Sequence, residues 1–265
     1  MKNTPRRKKE LFNNSLKDVR SGRYLISLPG MRTFTDHTCQ ACHMFQHSFF
    51  KGLKGEELVE LNRNKSCSFA KKGQAIFSEN GIPRGLFCIS SGKVKLSMLG
   101  LDGKEQIVRL AKAGDIIGYR SLLSNDRYHC TATALENVDY CYIDKTYFLN
   151  LVHTNPAFCS DIFKKISLDL RNAEQTIVSM SQKNVRERMA EVLLFLKTTY
   201  GFENDGITLN VQLSRAELAD YVGTSTESAI RILSEFNQDR LIHLNGKKIQ
   251  LLNQEKLAYT ANLQY

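Results

Sequence analysis

Residues 37–50, HTCQACHMFQHSFF, bring together side chains that can bind a metal ion or undergo redox chemistry. Cys39 and Cys42 stand at C-x2-C spacing, and three histidines lie within the same segment. Thiolate and imidazole groups at such spacing are ligands for a soft metal ion. A reversible dithiol and an ordinary pair of reduced thiols beside a helix are the two alternatives. The choice among the three depends on the elements that position these residues.

The composition is that of a globular protein with room for two modest domains. The chain has 265 residues, of which 42% are hydrophobic, and its mean hydropathy is −0.33. No apolar run approaches the roughly 18 residues that a membrane span requires, and the N-terminus lacks the apolar core of a secretion signal. We therefore expect a cytoplasmic protein without a membrane partner. Its seven cysteines are expected to be thiols or ligands rather than a disulfide framework.

The formal net charge of +10 indicates a polyanionic partner, but the charge is unevenly distributed. Residues 1–38 carry nine Lys and Arg against three Asp and Glu, whereas residues 185–265 carry nine against ten. The sequence predicts a disordered basic arm over residues 1–36, which is either a solvated tail or a contact to nucleic acid. Met31 is an alternative translation start. The charge of residues 185–265 therefore does not indicate a DNA-binding domain, and only sequence motifs in that region can do so.

Residues 66–147 alternate short apolar runs with glycines, a pattern typical of antiparallel β-structure. Asp102-Gly103 lies between KVKLSML and EQIVRL and predicts a two-residue hairpin turn, since both central positions of that turn need a positive φ. Many short strands separated by turns predict a rolled or closed β-domain.

A long helix is predicted next, followed by a hinge at about residues 182–184. Asn184 with Glu187 three residues later predicts a capping box that begins a further helix. Asp169 is expected to face outward from the long helix. A heptad seam can pack on its own domain, but its place between two units favours homodimerisation. The seam consists of Phe163, Ile166, Leu170, Ala173, Ile177 and Met180.

Residues 214–237, SRAELADYVGTSTESAIRILSEFN, predict a helix-turn-helix. Ser214 and Glu217 form a capping box on the first helix. Gly223 supplies the turn between the two helices. The following LIHLNGKKIQLL predicts two short strands about Asn245-Gly246, a hairpin that serves as a wing.

The first turns of the second helix, which Ser225 caps, are expected to contact DNA bases. Arg231 can bind the O6 and N7 atoms of a guanine, and Glu227 can accept from a cytosine N4. Their i,i+4 spacing equally permits a plain Glu–Arg surface pair. Ile230 is assigned both to this outward face and to the inward stripe that includes Leu233 and Phe236. The predicted DNA-contacting residues are Ser214, Arg215, Ser225, Thr226, Glu227, Ile230, Arg231 and Lys247.

This order of elements resembles the Crp/Fnr superfamily of bacterial transcription regulators. The resemblance covers about residues 37–255 and includes SSGKVKL (90–96), LAKAGDIIG (110–118) and VRERMAEVLL (185–194). Glu227 and Arg231 match the family's recognition pattern, whereas Thr226 and Ile230 differ from the polar readers of its best-known branches.

The resemblance implies an α+β fold in three parts. These are a cyclic-nucleotide-binding-like β-roll (a double-stranded jelly roll) over residues 37–160, a dimerisation helix over 161–183 and a winged helix-turn-helix over 184–265. It implies a homodimeric regulator, not an enzyme, that binds an inverted repeat in double-stranded DNA and acts with RNA polymerase. A ligand-binding module without DNA function and a redox enzyme are the rival classes.

The family's cyclic-nucleotide branch binds its ligand between a Gly-Glu pair and an Arg-Ser or Arg-Thr pair. Here the first pair is replaced by Gly118-Tyr119-Arg120, and the second falls near Tyr128-His129 with Arg127 one place early. Arg120 and Arg127 could hold a phosphate, but no carboxylate stands where the ribose would be bound. A cyclic-nucleotide-responsive regulator is the alternative reading of the sensor domain.

The family's oxygen-sensing branch holds a [4Fe–4S] cluster on C-x2-C-x5-C and on one cysteine of a late roll strand. Cys39, Cys42 and Cys141 match the first, second and late positions, but Ser48 stands at the third. The resemblance thus implies an iron–sulfur cluster with an incomplete thiolate set, or a mixed or Zn2+ site that adds His43 or His47. A redox-responsive dithiol and structural thiols stay open as alternatives. The other cysteines are predicted to be small buried residues: Cys67, Cys88, Cys130 and Cys159.

Overall fold

The computed structural model describes residues 38–263. The predicted basic arm over residues 1–36 and the alternative start at Met31 lie outside this range. The described chain forms an antiparallel β-roll, a long helix and a helical C-terminal domain that ends in a small hairpin. This is the α+β architecture that the sequence predicts.

Two four-stranded antiparallel sheets make up the β-roll, with strand orders β1-β8-β3-β6 and β2-β7-β4-β5. Consecutive strands often fall in different sheets, so the chain repeatedly crosses between them. The strands are β1 (Lys65–Ala70), β2 (Ala75–Phe77), β3 (Gly85–Ser91), β4 (Lys93–Leu99), β5 (Glu105–Lys112), β6 (Ile116–Ile117), β7 (Thr131–Ala134) and β8 (Val138–Asp144).

The hairpin between β4 and β5 differs from its predicted turn. Leu99 pairs with Glu105, and Gly100 N donates to Lys104 O at 2.9 Å, so residues 100–104 form a longer loop. Gly103 alone in this loop has a positive φ, of 69°. A two-residue turn would need a positive φ at Asp102 as well, which a residue with a Cβ adopts at a cost. The predicted pairing is confirmed, and the predicted two-residue turn is wrong.

The helices before the hinge pack against strands of the roll through one shared apolar cluster. They are α1 (Gly55–Arg63), α2 (Tyr119–Leu123), α3 (Lys145–Thr154) and α4 (Pro156–Gln182). Phe50, Phe148 and Phe158 form an aromatic group in the core beneath α3 and α4. Between the sheets, Phe77 stacks on Tyr128 with ring centroids 4.1 Å apart.

The predicted seam lies on α4, which begins at Pro156, earlier than the predicted residue 161. Most of its apolar side chains are exposed beyond the first turns, with Phe163 65%, Leu170 59% and Ile177 66% exposed. One position differs from the prediction, because the Asp169 side chain is only 9% exposed. It accepts hydrogen bonds from Tyr119 Oη at 2.6 Å, Lys165 Nζ at 2.6 Å and Arg109 Nη1 at 3.3 Å.

The C-terminal domain follows the hinge at Lys183. Its elements are α5 (Val185–Tyr200), α6 (Arg215–Val222), α7 (Thr226–Gln238), β9 (Ile242–Asn245), β10 (Lys248–Leu251) and α8 (Gln254–Thr260). The Asn184–Glu187 capping box at the start of α5 is present in both directions, as predicted. Strands β9 and β10 pair from Asn245 and Lys248 outward, which confirms the predicted wing.

The second sheet of the roll contacts the C-terminal domain directly. Ile107 and Leu110 of β5 share an apolar cluster with α5, α6 and α7. Gln106 Nε2 donates to Tyr221 O at 3.5 Å, and Lys112 Nζ donates to Thr199 O at 2.7 Å. The described conformation therefore has a mixed apolar and polar contact between the roll and the domain that carries the helix-turn-helix.

We expect Asp169→Ala to destabilise the fold by about 3 kcal/mol, because it leaves Arg109 and Lys165 without their nearly buried counter-charge. Burial alone would raise the pKa of Asp169, but Arg109, Lys165 and Tyr119 hold it below its ordinary value. The stabilisation is therefore present above about pH 4 and lost as the pH falls through the folded pKa. Denaturant unfolding at pH 7 and below pH 4 measures both effects.

The matched control is Asp161→Ala on the same helix, whose ion pair with Lys164 is solvent-exposed. It should change stability by no more than about 0.5 kcal/mol. Equal losses in the two variants would contradict the role assigned to Asp169.

Candidate DNA-binding and sensor sites

Local capping positions the helix-turn-helix. The Ser214 side chain accepts from Glu217 N, and the Glu217 carboxylate accepts from Ser214 N at 2.7 Å, so α6 begins with the predicted capping box. Gly223 ends α6 in the left-handed conformation, with a φ of 73° that favours glycine. Ser225 then caps α7 by accepting from Ser228 N.

Helix α7 divides cleanly into a buried and an exposed face. Ala229, Ile232, Leu233 and Phe236 are buried. Glu227 and Arg231 are exposed, and Ile230 is 47% exposed, which resolves its double assignment in favour of the outward face. The first two turns of α7 therefore present a polar surface with one aliphatic side chain, at the place where a recognition helix meets base edges.

Arg231 pairs with Glu235 and not with Glu227. Arg231 Nη1 lies 2.7 Å from Glu235 Oε1, one turn further along α7. Hydrogen bonds from its own backbone N–H and from Ser225 lower the pKa of the Glu227 carboxyl. Glu227 is thus held at the helix N-terminus, and the alternative i,i+4 pair with Arg231 does not form in this structure.

Arg186 on α5 is a supporting residue that the sequence patterns did not single out. Its guanidinium contacts Glu235 Oε2 and Asp239 Oδ2, each at 2.7 Å, and lies 4.6 Å from the centroid of the Phe236 ring. Glu235 therefore joins Arg186 and Arg231. No local spacing could have revealed this, because Arg186 and Glu235 are 49 residues apart.

The predicted contact residues Arg215 and Lys247 have different surroundings at the wing. Arg215 Nη2 donates to Gly246 O at 3.0 Å and so ties the start of α6 to the hairpin turn. Its Nη1 is buried without a hydrogen-bond partner among the described residues, and burial lowers the pKa of the guanidinium. Lys247 is exposed in the turn. Its charge is available to a phosphate, whereas Arg215 mainly supports the wing.

The C-x2-C segment is fixed against α1. Cys39 begins a short 3-10 turn, and its N–H donates to Asn62 Oδ1 at 2.7 Å. Ser48, at the position of the missing cysteine, is buried, donates through Oγ to Phe45 O at 2.7 Å and accepts from Phe50 N. Ser48 therefore stabilises its own turn and is not presented as a ligand.

Three cysteines form a row across neighbouring strands of the first sheet. Cys141 on β8 is the register partner of Cys67 on β1 and of Cys88 on β3. Directly paired residues project from the same face of a sheet. Cys67 Sγ and Cys141 Sγ lie 3.2 Å apart, and Lys65 Nζ donates to Cys67 Sγ at 3.5 Å.

The two groups of thiols are neighbours. Cys39, Cys42 and Cys88 pack at the margin of the same apolar cluster. Burial, followed by the proximity of Cys42 and Cys39, raises the pKa of Cys88 to about 12. The prediction that Cys67 and Cys88 are small buried residues misses this convergence, and both are only half-buried. The sequence indicated only that Cys67 and Cys88 lie on predicted strands. Which residues they face depends on the register of β1 and β3 with β8.

The predicted metal set is only partly assembled. Cys39, Cys42 and Cys141 are of the type that binds iron–sulfur clusters or Zn2+, but Ser48 is engaged elsewhere. Within residues 38–263, no three Cys, His, Asp or Glu side chains are grouped closely enough to hold a metal ion. The described conformation therefore does not fit a four-ligand cluster, and metal binding stays a prediction.

The two arginines of the predicted phosphate site have different surroundings, and phosphate binding stays a prediction. Arg120 is exposed on α2, and Arg127 Nη1 donates to Asn80 O at 2.7 Å. Tyr119, where the nucleotide-binding branch has glutamate, is buried and bonds to Asp169. The stacked rings of Phe77 and Tyr128 occupy space between the sheets.

Among residues 38–263, no helix combines the length and apolarity needed to cross a membrane.

Comparisons with known proteins agree with this architecture. The cyclic nucleotide-binding domain family matches residues 68–155, and the Crp-like helix-turn-helix domain family matches residues 187–260. The chain is 28% identical over 232 residues to the fumarate and nitrate reduction regulatory protein of Vibrio cholerae, covering 85% of this chain and 90% of that protein. It is 28% identical over 226 residues to electron transport regulator A of Shewanella oneidensis, covering 83% and 88%.

Among solved structures, FixK2 from Bradyrhizobium japonicum has a TM-score of 0.68 at 21% identity, covering 76% of this chain and 99% of that one. This likeness shows the fold. The two matched domain families occur in the order of the roll and the helix-turn-helix, and the named relatives are regulators rather than enzymes. The chain is therefore a member of the Crp/Fnr superfamily, a DNA-binding transcription regulator of the Crp/Fnr type.

Proposed function

We propose that the protein is a homodimer that reads an inverted repeat in double-stranded DNA through α7 and responds to a signal received by the β-roll. The observation that carries this proposal is the exposed face of α7 in a capped helix-turn-helix, with Glu227 and Arg231 directed outward. A winged hairpin with an exposed Lys247 flanks it. RNA polymerase is the expected protein partner of such a regulator.

The exposed stripe of α4 supports the dimer. Phe163, Leu170 and Ile177 are each more than half exposed on one helix. Such a seam is buried when two copies of the helix pack as a coiled coil. A two-fold dimer also places two recognition helices about one turn of DNA apart, which requires an inverted repeat.

Arg231 is the strongest candidate for base recognition. A guanidinium binds guanine O6 and N7 in a bidentate manner, and the exposed Arg231 guanidinium is paired with Glu235 at 2.7 Å. Binding would exchange this ion pair for the base. Glu235 keeps its contact with Arg186, so it would not be left without a counter-charge.

The signal proposed for the roll is redox in character. The names of two relatives refer to fumarate and nitrate reduction and to electron transport. Here Cys39, Cys42 and Cys88 pack against one apolar cluster, and Cys141 is paired with Cys88 and Cys67 on the neighbouring strands. A change at the roll can reach the DNA-binding domain through the contact of Gln106 with Tyr221. The cyclic-nucleotide alternative has less support, because Arg127 donates to Asn80 O and the buried Tyr119 donates to Asp169 where that branch has a glutamate.

The dimer is tested by Leu170→Asp combined with Ile177→Asp. Two charges in the apolar seam should prevent association, so sedimentation should show monomers in place of dimers. Gln175→Asp, an exposed position outside the seam on the same helix, is the matched control and should remain dimeric. A double variant that sediments as the unchanged dimer contradicts the interface.

Base recognition is tested by selecting bound sequences from a random duplex pool. The wild type should select an inverted repeat, and Arg231→Ala should lose about 1–3 kcal/mol per half-site and relax preference at one base pair. Lys247→Ala is the control, because removal of a phosphate contact weakens binding to all sequences alike and reduces the salt dependence. Selection of a sequence without two-fold symmetry, or an unaltered preference in Arg231→Ala, would sink the proposal.

The ion pair of Arg231 gives an independent test. Glu235→Gln removes the competing carboxylate, and an exposed pair of this kind contributes about 0.2–1 kcal/mol. We therefore expect DNA binding to become up to about fivefold tighter per half-site, with the same preferred bases. Glu255→Gln on α8, which removes an equal charge from the same domain, should have a smaller effect. Fluorescence anisotropy of one labelled operator measures both, and weaker binding by Glu235→Gln contradicts the exchange.

A further inference from the structure

The pair Cys67–Cys141 has a geometry that DNA binding does not explain. The two residues face each other on β1 and β8, with their sulfur atoms 3.2 Å apart. Paired residues of antiparallel strands have Cα atoms about 4.5–5.5 Å apart, which lies within the range that a disulfide spans. A modest approach of the two sulfur atoms is therefore enough to form a bond without moving either strand.

We propose that Cys67 and Cys141 are a redox-active dithiol that a hydroperoxide converts into a cross-strand disulfide. The site lies outside the C-x2-C motif and adds a reactive pair to the proposed regulator. Its formation is measured on the protein alone and does not depend on DNA binding.

The surroundings give the two sulfur atoms different roles. Lys65 Nζ lies 3.5 Å from Cys67 Sγ, and an ammonium at this position stabilises a thiolate. On this contact we assign Cys67 as the sulfur that the hydroperoxide oxidises and Cys141 as the sulfur that closes the disulfide.

The reaction balances with a hydroperoxide as the oxidant. The Cys67 thiolate attacks one peroxide oxygen, the O–O bond breaks, and the alkoxide or hydroxide that leaves takes a proton from solvent, which gives a sulfenic acid on Cys67. Cys141 sulfur then attacks Cys67 sulfur. The S–S bond forms, the S–O bond breaks, and the departing hydroxide takes the Cys141 proton to give water. Two molecules of a small thiol reverse the process by exchange and are themselves oxidised to a disulfide.

The observations favour a dithiol over a metal site. Two thiolates bound to one tetrahedral Zn2+ at about 2.3 Å would lie about 3.8 Å apart, whereas these sulfur atoms are closer. Among residues 38–263 no third Cys, His, Asp or Glu completes a group that could hold a metal ion. Cys88, the other neighbour of Cys141, has a pKa raised to about 12 by burial and stays a thiol.

The experiment uses the full-length protein, purified without oxygen and treated with one equivalent of hydrogen peroxide. After the remaining thiols are alkylated, mass spectrometry should find a peptide pair linked through Cys67 and Cys141 and a loss of two hydrogen atoms per chain. A small thiol should reverse both changes. A bond between Cys39 and Cys42 instead, or no bond after excess peroxide, overturns the proposal.

Variants test the assigned roles. Cys141→Ser should accumulate a sulfenic acid on Cys67 that a dimedone probe captures, and Cys159→Ser, away from the pair, should form the disulfide at the normal rate. Lys65→Gln should react more slowly at pH 7, whereas Lys71→Gln, an exposed lysine just beyond the other end of β1, should not. Loss of the rate difference between these two lysine variants contradicts the assigned nucleophile.

Metal analysis of the anaerobic protein closes the test. If the wild type contains stoichiometric iron or zinc and both Cys39→Ser and Cys141→Ser lack it, these cysteines bind a metal and the dithiol proposal is contradicted. Failure of the reduced protein to bind any DNA would contradict the proposed function and leave the disulfide result unaffected, so the two failures are distinguishable.

Discussion

The buried carboxylate of Asp169 is the constraint that fixes how the long helix leaves the β-roll. It brings α2, β5 and α4 together through Tyr119, Arg109 and Lys165. A charge that is only 9% exposed is tolerated because three donors satisfy it. Beyond this point the described residues 38–263 leave most of the apolar seam of α4 exposed, which is the surface on which the proposed dimer depends.

The contact between the roll and the DNA-binding domain has a mixed chemical character. Ile107 and Leu110 contribute apolar surface, while Lys95 lies between Glu105 at 2.9 Å and Glu217 at 3.8 Å. Glu217 also caps the first helix of the helix-turn-helix. The Glu217 carboxylate thus caps α6 and also contacts Lys95 of the β-roll. This contact offers a short physical route between the β-roll and the helix-turn-helix.

Much of the site was predictable wherever the signal was local. Capping boxes at Asn184 and Ser214 were confirmed because they depend on residues three apart. Which glutamate pairs with Arg231 was not predictable, since Glu227 and Glu235 each lie four residues from it. Glu227 is instead engaged by hydrogen bonds at the helix N-terminus, and Arg231 pairs with Glu235. The outward assignment of Asp169 was wrong, because periodicity describes one helix and cannot register a buried cluster formed with other elements.

The sequence by itself determined the order of the domains, the helix-turn-helix, the wing and the apolar seam, because each depends on periodicity, caps or turns within short segments. Tertiary structure alone decided which cysteines meet. Cys67 and Cys141 are 74 residues apart and become neighbours only through the register of β1 and β8. A shift of one residue would direct one of them to the opposite face, and the energy that sets this register comes from the packed core rather than from the cysteines.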